Sequence, residues 1–200
     1  MIQMTLEEQA ALIKTLSPWH YCWEFPSGLR TGDSAPNLFP EKMPMMIAGG
    51  AFVRPTYPEV LDLGANSGYI AKWFVENKGS HVVAIERGEK FFPQLVHVIE
   101  VFGLESRIEA RQDGIEECDF GTEGGYDLIL FLGTLHHIER RHHARIFKEC
   151  LYVLKMGGEI VVQTKREEDV PGKLEDADFG NVQQVYWSDE QDRGCWQGTK

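Results

Sequence analysis

The sequence predicts an α/β fold: a mostly parallel, doubly wound sheet with an N-terminal helical and aromatic extension and a shortened C-terminal part. Three observations lead there. Apolar, β-branched runs alternate with longer helical patterns from Glu59 to Thr164, and strands that alternate with helices build a parallel sheet covered on both faces. The run Tyr126–Leu132 is almost wholly apolar, as a strand buried on both faces should be. Glycines punctuate the junctions, at Gly64 and Gly68, Gly79, Gly103 and Gly157-Gly158.

Taken in order, Thr5–Leu16 predicts a short helix, with Thr5 and Glu8 at capping-box spacing and Ala10, Ile13 and Leu16 on one face. Ser17-Pro18 ends it. Trp19–Pro44, rich in aromatics, Pro and Gly, reads as short strands and loops. Residues 1–54 thus form an extension, suited to a lid or acceptor pocket, and residues 55–200 the main domain. Glu59–Leu63 is the first strand, Tyr69–Asn77 a helix and His81–Glu86 the second strand. Phe91–Phe102 is a second helix, with Pro93 in its first turn and Gly103 as its cap. Arg107–Arg111 and Tyr126–Leu132 follow as strands, then a helix over Arg140–Leu154 and a strand over Glu159–Thr164. Lys165–Asp178 reads as an exposed loop. Val182–Trp187 is one further strand, and little chain remains to close the sheet with an antiparallel hairpin.

The chain has 200 residues and a net charge of −11. Such acidity repels a phosphate backbone and argues against avid, non-specific nucleic-acid binding. The four cysteines, Cys22, Cys118, Cys150 and Cys195, form no CxxC pair and read as reduced thiols of a cytoplasmic protein. The N-terminus, with Glu7 and Glu8, lacks a basic-then-apolar signal pattern. The longest apolar stretch, Met43–Val53, contains Pro44, Gly49 and Gly50 and is too short to span a bilayer. Oligomeric state is left open.

Four segments fall at the carboxyl ends of predicted strands, where α/β sheets bind ligands. Val60–Tyr69 reads VLDLGANSGY, a strand, a glycine turn and a helix start. Its G-x-x-x-G spacing differs from the G-x-G-x-x-G of dinucleotide sites. Glu86, followed by Arg87, ends the second strand, where a carboxylate can accept both hydroxyls of a ribose. Gln112-Asp113-Gly114-Ile115 follows the third strand; an Asp there can accept an exocyclic amine, and the Ile can pack on a base. Leu132-Gly133-Thr134-Leu135-His136-His137 leaves the fourth. His136 and His137 are the candidate acid/base pair, because imidazole titrates near neutral pH. His142 and His143 read as surface residues. Adjacent histidines are not standard metal-ligand spacing, and no metal is expected.

Taken together, the four segments resemble the class I S-adenosylmethionine (SAM)-dependent methyltransferases over Glu59–Thr164. The resemblance implies a Rossmann-like fold and SAM as cofactor. It implies that Gly64, Ala65, Asn66, Gly68 and Tyr69 surround the methionine part, with Asp62 attracting its cationic end. Glu86, beside Arg87, would hold the ribose, and Asp113, Gly114 and Ile115 the adenine. The edge that begins at Leu132 and Gly133 would face the sulfonium and the acceptor. Leu154–Glu159 matches the turn before the family's fifth strand. A narrower similarity is to the tRNA wobble-uridine carboxymethyltransferase-like group. It rests on Trp19-His20-Tyr21, Phe25-Pro26-Ser27-Gly28 and Thr31-Gly32, and on Leu132–His137, which aligns with that group's Met-Gly-Val-Leu-Tyr-His. His136 replaces the group's Tyr, Lys42 is the sole counterpart to its basic segment, and the larger C-terminal region is missing. Ordinary SAM is therefore the expected cofactor.

The function expected is methyl transfer to a small-molecule acceptor. The rivals are an RNA-modifying enzyme using a patch of Arg140, Arg141, Arg145 and Lys148, a SAM-binding regulatory or partner subunit without turnover, and a nicotinamide-dependent oxidoreductase, which the glycine spacing disfavours.

Overall fold

The computed structural model describes residues 4–31, 38–165, 167–189 and 191–200, and the backbone alone over residues 38–42. Gly32, and with it the Thr31-Gly32 motif, lies partly outside the described residues, as does the Lys42 side chain.

Helix α1 (Leu6–Thr15) starts at the expected capping box. The Thr5 hydroxyl accepts the Glu8 N–H at 3.2 Å, and the Glu8 carboxylate accepts the Thr5 N–H at 2.8 Å. The chain then folds back, and the Trp19 indole N–H donates to the Ile13 carbonyl at 2.9 Å. Trp19, Tyr21, Trp23 and Phe25 alternate along this segment and are all buried, each ring removing roughly 150–250 Å² from water. The Trp23 indole donates to the Ser67 hydroxyl at 3.1 Å, fastening the segment to the loop that opens the main sheet.

The reading of strands and loops through Pro44 fails beyond residue 37, where helix α2 (Leu38–Ala48) forms. Met43 and Met46, one helical turn apart, are drawn into the core. Burial of that face, with helix-favouring Leu and Met, outweighs the interior Pro44.

The main sheet begins with β1 (Glu59–Leu63). There follow α3 (Tyr69–Lys78), β2 (His81–Ile85), α4 (Phe91–Phe102), β3 (Ile108–Arg111) and β4 (Tyr126–Leu132). A single 3₁₀ turn at Leu135–His137 leads to α5 (Arg140–Val153), β5 (Leu154–Lys165), α6 (Val170–Asp176), β6 (Gly180–Ser188) and β7 (Arg193–Thr199). The order is β3-β2-β1-β4-β5-β7-β6. The first five strands are parallel, and β7 runs antiparallel to both its neighbours. The fold is the expected Rossmann-like α/β class.

The C-terminal part requires two corrections. The closing antiparallel hairpin, for which the sequence reading leaves little chain, is present as β6 and β7. Its second strand, Arg193–Thr199, carries two glycines and no clear alternation. It becomes a strand because β5 offers it a long edge, from Glu159 to Lys165. Part of the expected loop after Lys165 is α6, whose N-cap Asp169 accepts the Gly172 N–H at 3.1 Å and whose Val170 and Leu174 are buried.

Two apolar layers flank the sheet. One joins α3 and α4 to the aromatic segment; the other joins α5 and α6 to the opposite face. The chain builds outward from β1 through β2 to β3, then returns to β4 beside β1. The carboxyl ends of β1 and β4 therefore part, and the crevice opens there.

Candidate cofactor and acceptor cleft

The crevice is a cleft of about 550 Å³. Its floor is the turn after β1. Gly64 takes φ +86°, and a Cβ on it would stand 2.2 Å from the Thr134 hydroxyl. Only glycine lets the loops after β1 and β4 meet there. The Gly64 and Ala65 N–H groups both donate to the Ile85 carbonyl, at 2.9 and 3.0 Å, tying the turn to β2. Asn66 holds a left-handed conformation at φ +53°.

Glu86 is buried at the end of β2. Its Oε2 accepts the Asn66 N–H at 2.8 Å and its Oε1 the Gly88 N–H at 2.7 Å. Asp62 lies beneath the turn, buried, with Oδ2 lacking any hydrogen-bond partner. Burial, reinforced by the charge of Glu86, pushes its carboxyl up to about 7. An orphaned carboxylate beside a second one suits a ligand with a positive charge.

At one end of the cleft stand Asp113 and Ile115, with the Arg87 guanidinium bridging to Glu116 at 3.0 Å. Arg145 on α5 donates to the Ile115 and Glu116 carbonyls, at 3.2 and 2.6 Å, and holds that loop. At the other end the Gly133 N–H donates to the Gln163 carbonyl at 2.7 Å. His137 is exposed to the cleft, whereas His136 turns to the Thr164 hydroxyl, 3.3 Å from its Nδ1. Burial, then the charges of His137, Arg193 and Lys165, push the His136 imidazole down to about 4. Burial, followed by Lys165, Arg193 and Arg87, moves His137 in the same direction.

Of the residues singled out by sequence, Gly64, Asn66, Glu86, Arg87, Asp113, Ile115, Leu132, Gly133 and His137 line the cleft. Asp62, Ala65, Gly68, Tyr69, Gly114 and His136 are not among the residues that line it. Tyr69 stacks on Tyr21 at 5.2 Å, and Tyr21 with His20 forms a wall. Sequence reasoning missed Phe91, Thr134, Gln163 and Arg193. A Gln directly after the apolar Ile160–Val162 run is a legible signal; Arg193 has none, because its strand is not recognisable in the sequence. His143, expected at the surface, is buried, its Nε2–H donating to the Ile138 carbonyl at 3.0 Å. It falls on the inward face of α5, in step with Ile146, Phe147 and Cys150.

Among the described residues no cluster of three or more His, Cys, Asp or Glu could hold a metal ion, and no helix is long and apolar enough to cross a membrane.

This strand order, with an acidic residue in β1, a glycine turn after it and a second acid ending β2, defines a nucleoside-binding α/β protein. Residues 60–158 match the methyltransferase domain family, and this stretch is a class I SAM-dependent methyltransferase domain. Within that class it is a distant homologue of the tRNA U34 carboxymethyltransferases. It is 29% identical to that of Helicobacter acinonychis (strain Sheeba) over 105 residues, which make up 52% of this chain and 39% of the relative. It is 33% identical to that of Shewanella halifaxensis (strain HAW-EB4) over 106 residues, 52% of this chain and 31% of the relative. The chain thus spans about two fifths or less of the length of these curated relatives. Among solved structures, the N-terminal domain of EvdMO1, crystallised in the presence of SAH and D-fucose, superposes with a TM-score of 0.75. It is 21% identical and covers 98% of this chain and 97% of that one. A SAM-dependent methyltransferase from Mesorhizobium loti gives 0.64 at 16% identity, covering 80% of this chain and 97% of that one.

Proposed function

We propose that the chain holds SAM in this cleft and transfers its methyl group to a small-molecule acceptor. The observation that carries this reading is the acid pair under the glycine turn: Asp62, with an unpartnered oxygen, beside Glu86. SAM, when bound, supplies a methyl group on a sulfonium, ready for in-line displacement.

In this reading Asp62 attracts the ammonium of the methionine part across the turn built by Gly64, Ala65, Asn66 and Gly68. Glu86 is fixed by two backbone amides and keeps lone pairs for the ribose hydroxyls. Ile115 packs on the adenine, Asp113 and the Gly114 amide meet its polar edge, and Arg87 with Glu116 closes over that end. Leu132 and Gly133 border the reacting centre. Residues 1–54 supply His20 and Tyr21 as a wall of the acceptor side, steadied by Tyr69. Much of the rate can come from alignment alone. His137 faces the cleft, and burial with the nearby cations favours its neutral form, so it can take a proton from an acceptor that must lose one. His136 positions it, with ring centroids 4.1 Å apart.

An RNA acceptor is less well supported, although the curated relatives are named for tRNA U34. Arg140, Arg141 and Arg145 are each engaged by a carboxylate, Glu168, Glu139 and Glu149 respectively, at 3.0 to 3.4 Å. The complete closing hairpin removes the feature that favoured a subunit without turnover.

The test is calorimetry with SAM, SAH and NAD on the wild type and on Glu86→Ala. SAM and SAH are expected to bind the wild type and to lose affinity in the variant. Tighter binding of NAD, or no adenosyl ligand bound at all, would overturn the reading.

A further inference from the structure

The far end of the cleft is built for charge. Gln163 is fully buried on β5 and lines the cleft, yet neither atom of its amide has a hydrogen-bond partner. The Tyr186 hydroxyl is near enough to act on it, but no hydrogen bond of full geometry joins the two. Buried amides are almost always satisfied, and an orphan aimed into a cleft points to a ligand. Arg193, at the start of β7, reaches the same space. Above Gly133, a missing Cβ would lie 3.6 Å from Gln163 Oε1 and 3.9 Å from an Arg193 guanidinium nitrogen. The bare glycine, at φ +75°, leaves that gap open.

In a chain of net charge −11 two cationic side chains nonetheless meet at this end. Lys165 pairs in register with Arg193, and both act on the two histidines. Glu168, the acid that opposes them at His136, is already engaged by Arg140 at 3.4 Å and Lys173 at 3.1 Å. Position in the sheet separates this pair from the cofactor end. β7 is three strands from β1, and strands lie about 4.8 Å apart, so the Arg193 backbone stands roughly 14 Å across the sheet from the glycine turn, and its side chain reaches back as far as Gly133.

We propose that Gln163 and Arg193 form the acceptor subsite and that the acceptor carries an anionic oxygen group, a carboxylate or a phosphate, which accepts hydrogen bonds from the Arg193 guanidinium and from Nε2 of Gln163, the amide turning over so that Nε2 replaces Oε1 at the gap. An Arg fork and an amide N–H match the in-plane lone pairs of such a group. The subsite rests on the SAM reading for its role, since it names the acceptor for the methyl group held at the other end.

The experiment titrates SAH-saturated protein with benzoate, phenyl phosphate, benzamide and benzylamine, followed by NMR. At least one of the two anions is expected to bind about tenfold or more tightly than the amide or the amine. Which anion prevails assigns carboxylate or phosphate. Arg193→Ala is expected to lose about tenfold in anion affinity, Arg193→Lys less, and Gln163→Leu a few-fold, with SAH affinity within about twofold of wild type in each. Unchanged SAH affinity also shows that each variant folds. Equal binding of benzamide, no binding of either anion, or a loss of SAH affinity in Arg193→Ala equal to the loss for the anion would overturn the proposal. If the wild type binds no SAH, the cofactor reading falls by itself. The anion titration on the protein alone then decides the subsite.

Discussion

The carboxylate of Glu86 accepts the backbone N–H of Asn66 at 2.8 Å, so the acid that ends β2 also shapes the glycine turn that follows β1. Its other oxygen holds Gly88 at 2.7 Å. One side chain thereby fixes the two loops that would enclose the cofactor's ribose.

Replacing Glu86 should damage both loops. Glu86→Ala removes two charge-assisted hydrogen bonds, each worth about 1.5–3 kcal/mol. SAM affinity by calorimetry is expected to fall about 100-fold or more, with a lowered Tm. Glu86→Gln keeps the shape and one acceptor oxygen, and should fall between. Wild-type affinity in the Ala variant would refute the assignment.

Gly64→Ala tests the meeting of the two loops. The new methyl would clash with Thr134 and would force a left-handed residue that carries a side chain. Strain of about 1–3 kcal/mol is expected, read as a lower urea midpoint, with SAM binding lost. Thr134→Ala should not rescue it, because the Thr134 Cβ also lies within 2.9 Å of the new methyl.

Asp62 should report cofactor binding through its proton. Its carboxyl, pushed up to about 7 by burial and by Glu86, is partly protonated near neutral pH. An ammonium arriving beside it favours the ionised form, so SAM binding at pH 6.5–7 should release protons. The measured enthalpy should then vary with the buffer's ionisation enthalpy, and Asp62→Asn should abolish that dependence. The same group affects stability without ligand. A raised carboxyl pKa contributes stability that is full below the unfolded value of 3.8 and fades as pH rises towards 7. Asp62→Asn should therefore flatten that decline in denaturation profiles.

The two histidines should separate. His137→Ala is expected to lower kcat about 10²–10⁴-fold for an acceptor that must lose a proton, leaving SAM affinity near wild type. His136→Ala should weaken turnover less. It should also change the acid limb of stability. The His136 pKa falls from 6.5 to about 4 on folding, so its neutral form favours the fold above pH 6.5. That contribution is lost as pH falls from about 6.5 to 4, because the unfolded chain takes the proton first. His136→Phe should reduce the loss, as followed by Tm against pH.

The sequence by itself determined the parallel half of the sheet and the end of the cleft built on the glycine turn. β1 to β4 lie within a residue of their expected bounds, because apolar runs and glycine stops are local signals. The same locality exposed Gly64, Asn66, Glu86, Asp113 and Ile115, which sit on consecutive strand ends. Tertiary structure alone decided the rest. α2 forms around an interior proline because Met43 and Met46 are buried, and β7 exists because β5 offers an edge. His143 was hidden by the polar neighbours of α5. Gln163 and Arg193, separated by 29 residues and an unrecognised strand, meet only through antiparallel register. The proposed acceptor subsite depends on such long-range pairing, which no local pattern encodes, whereas the glycine turn after β1 is written in one continuous stretch.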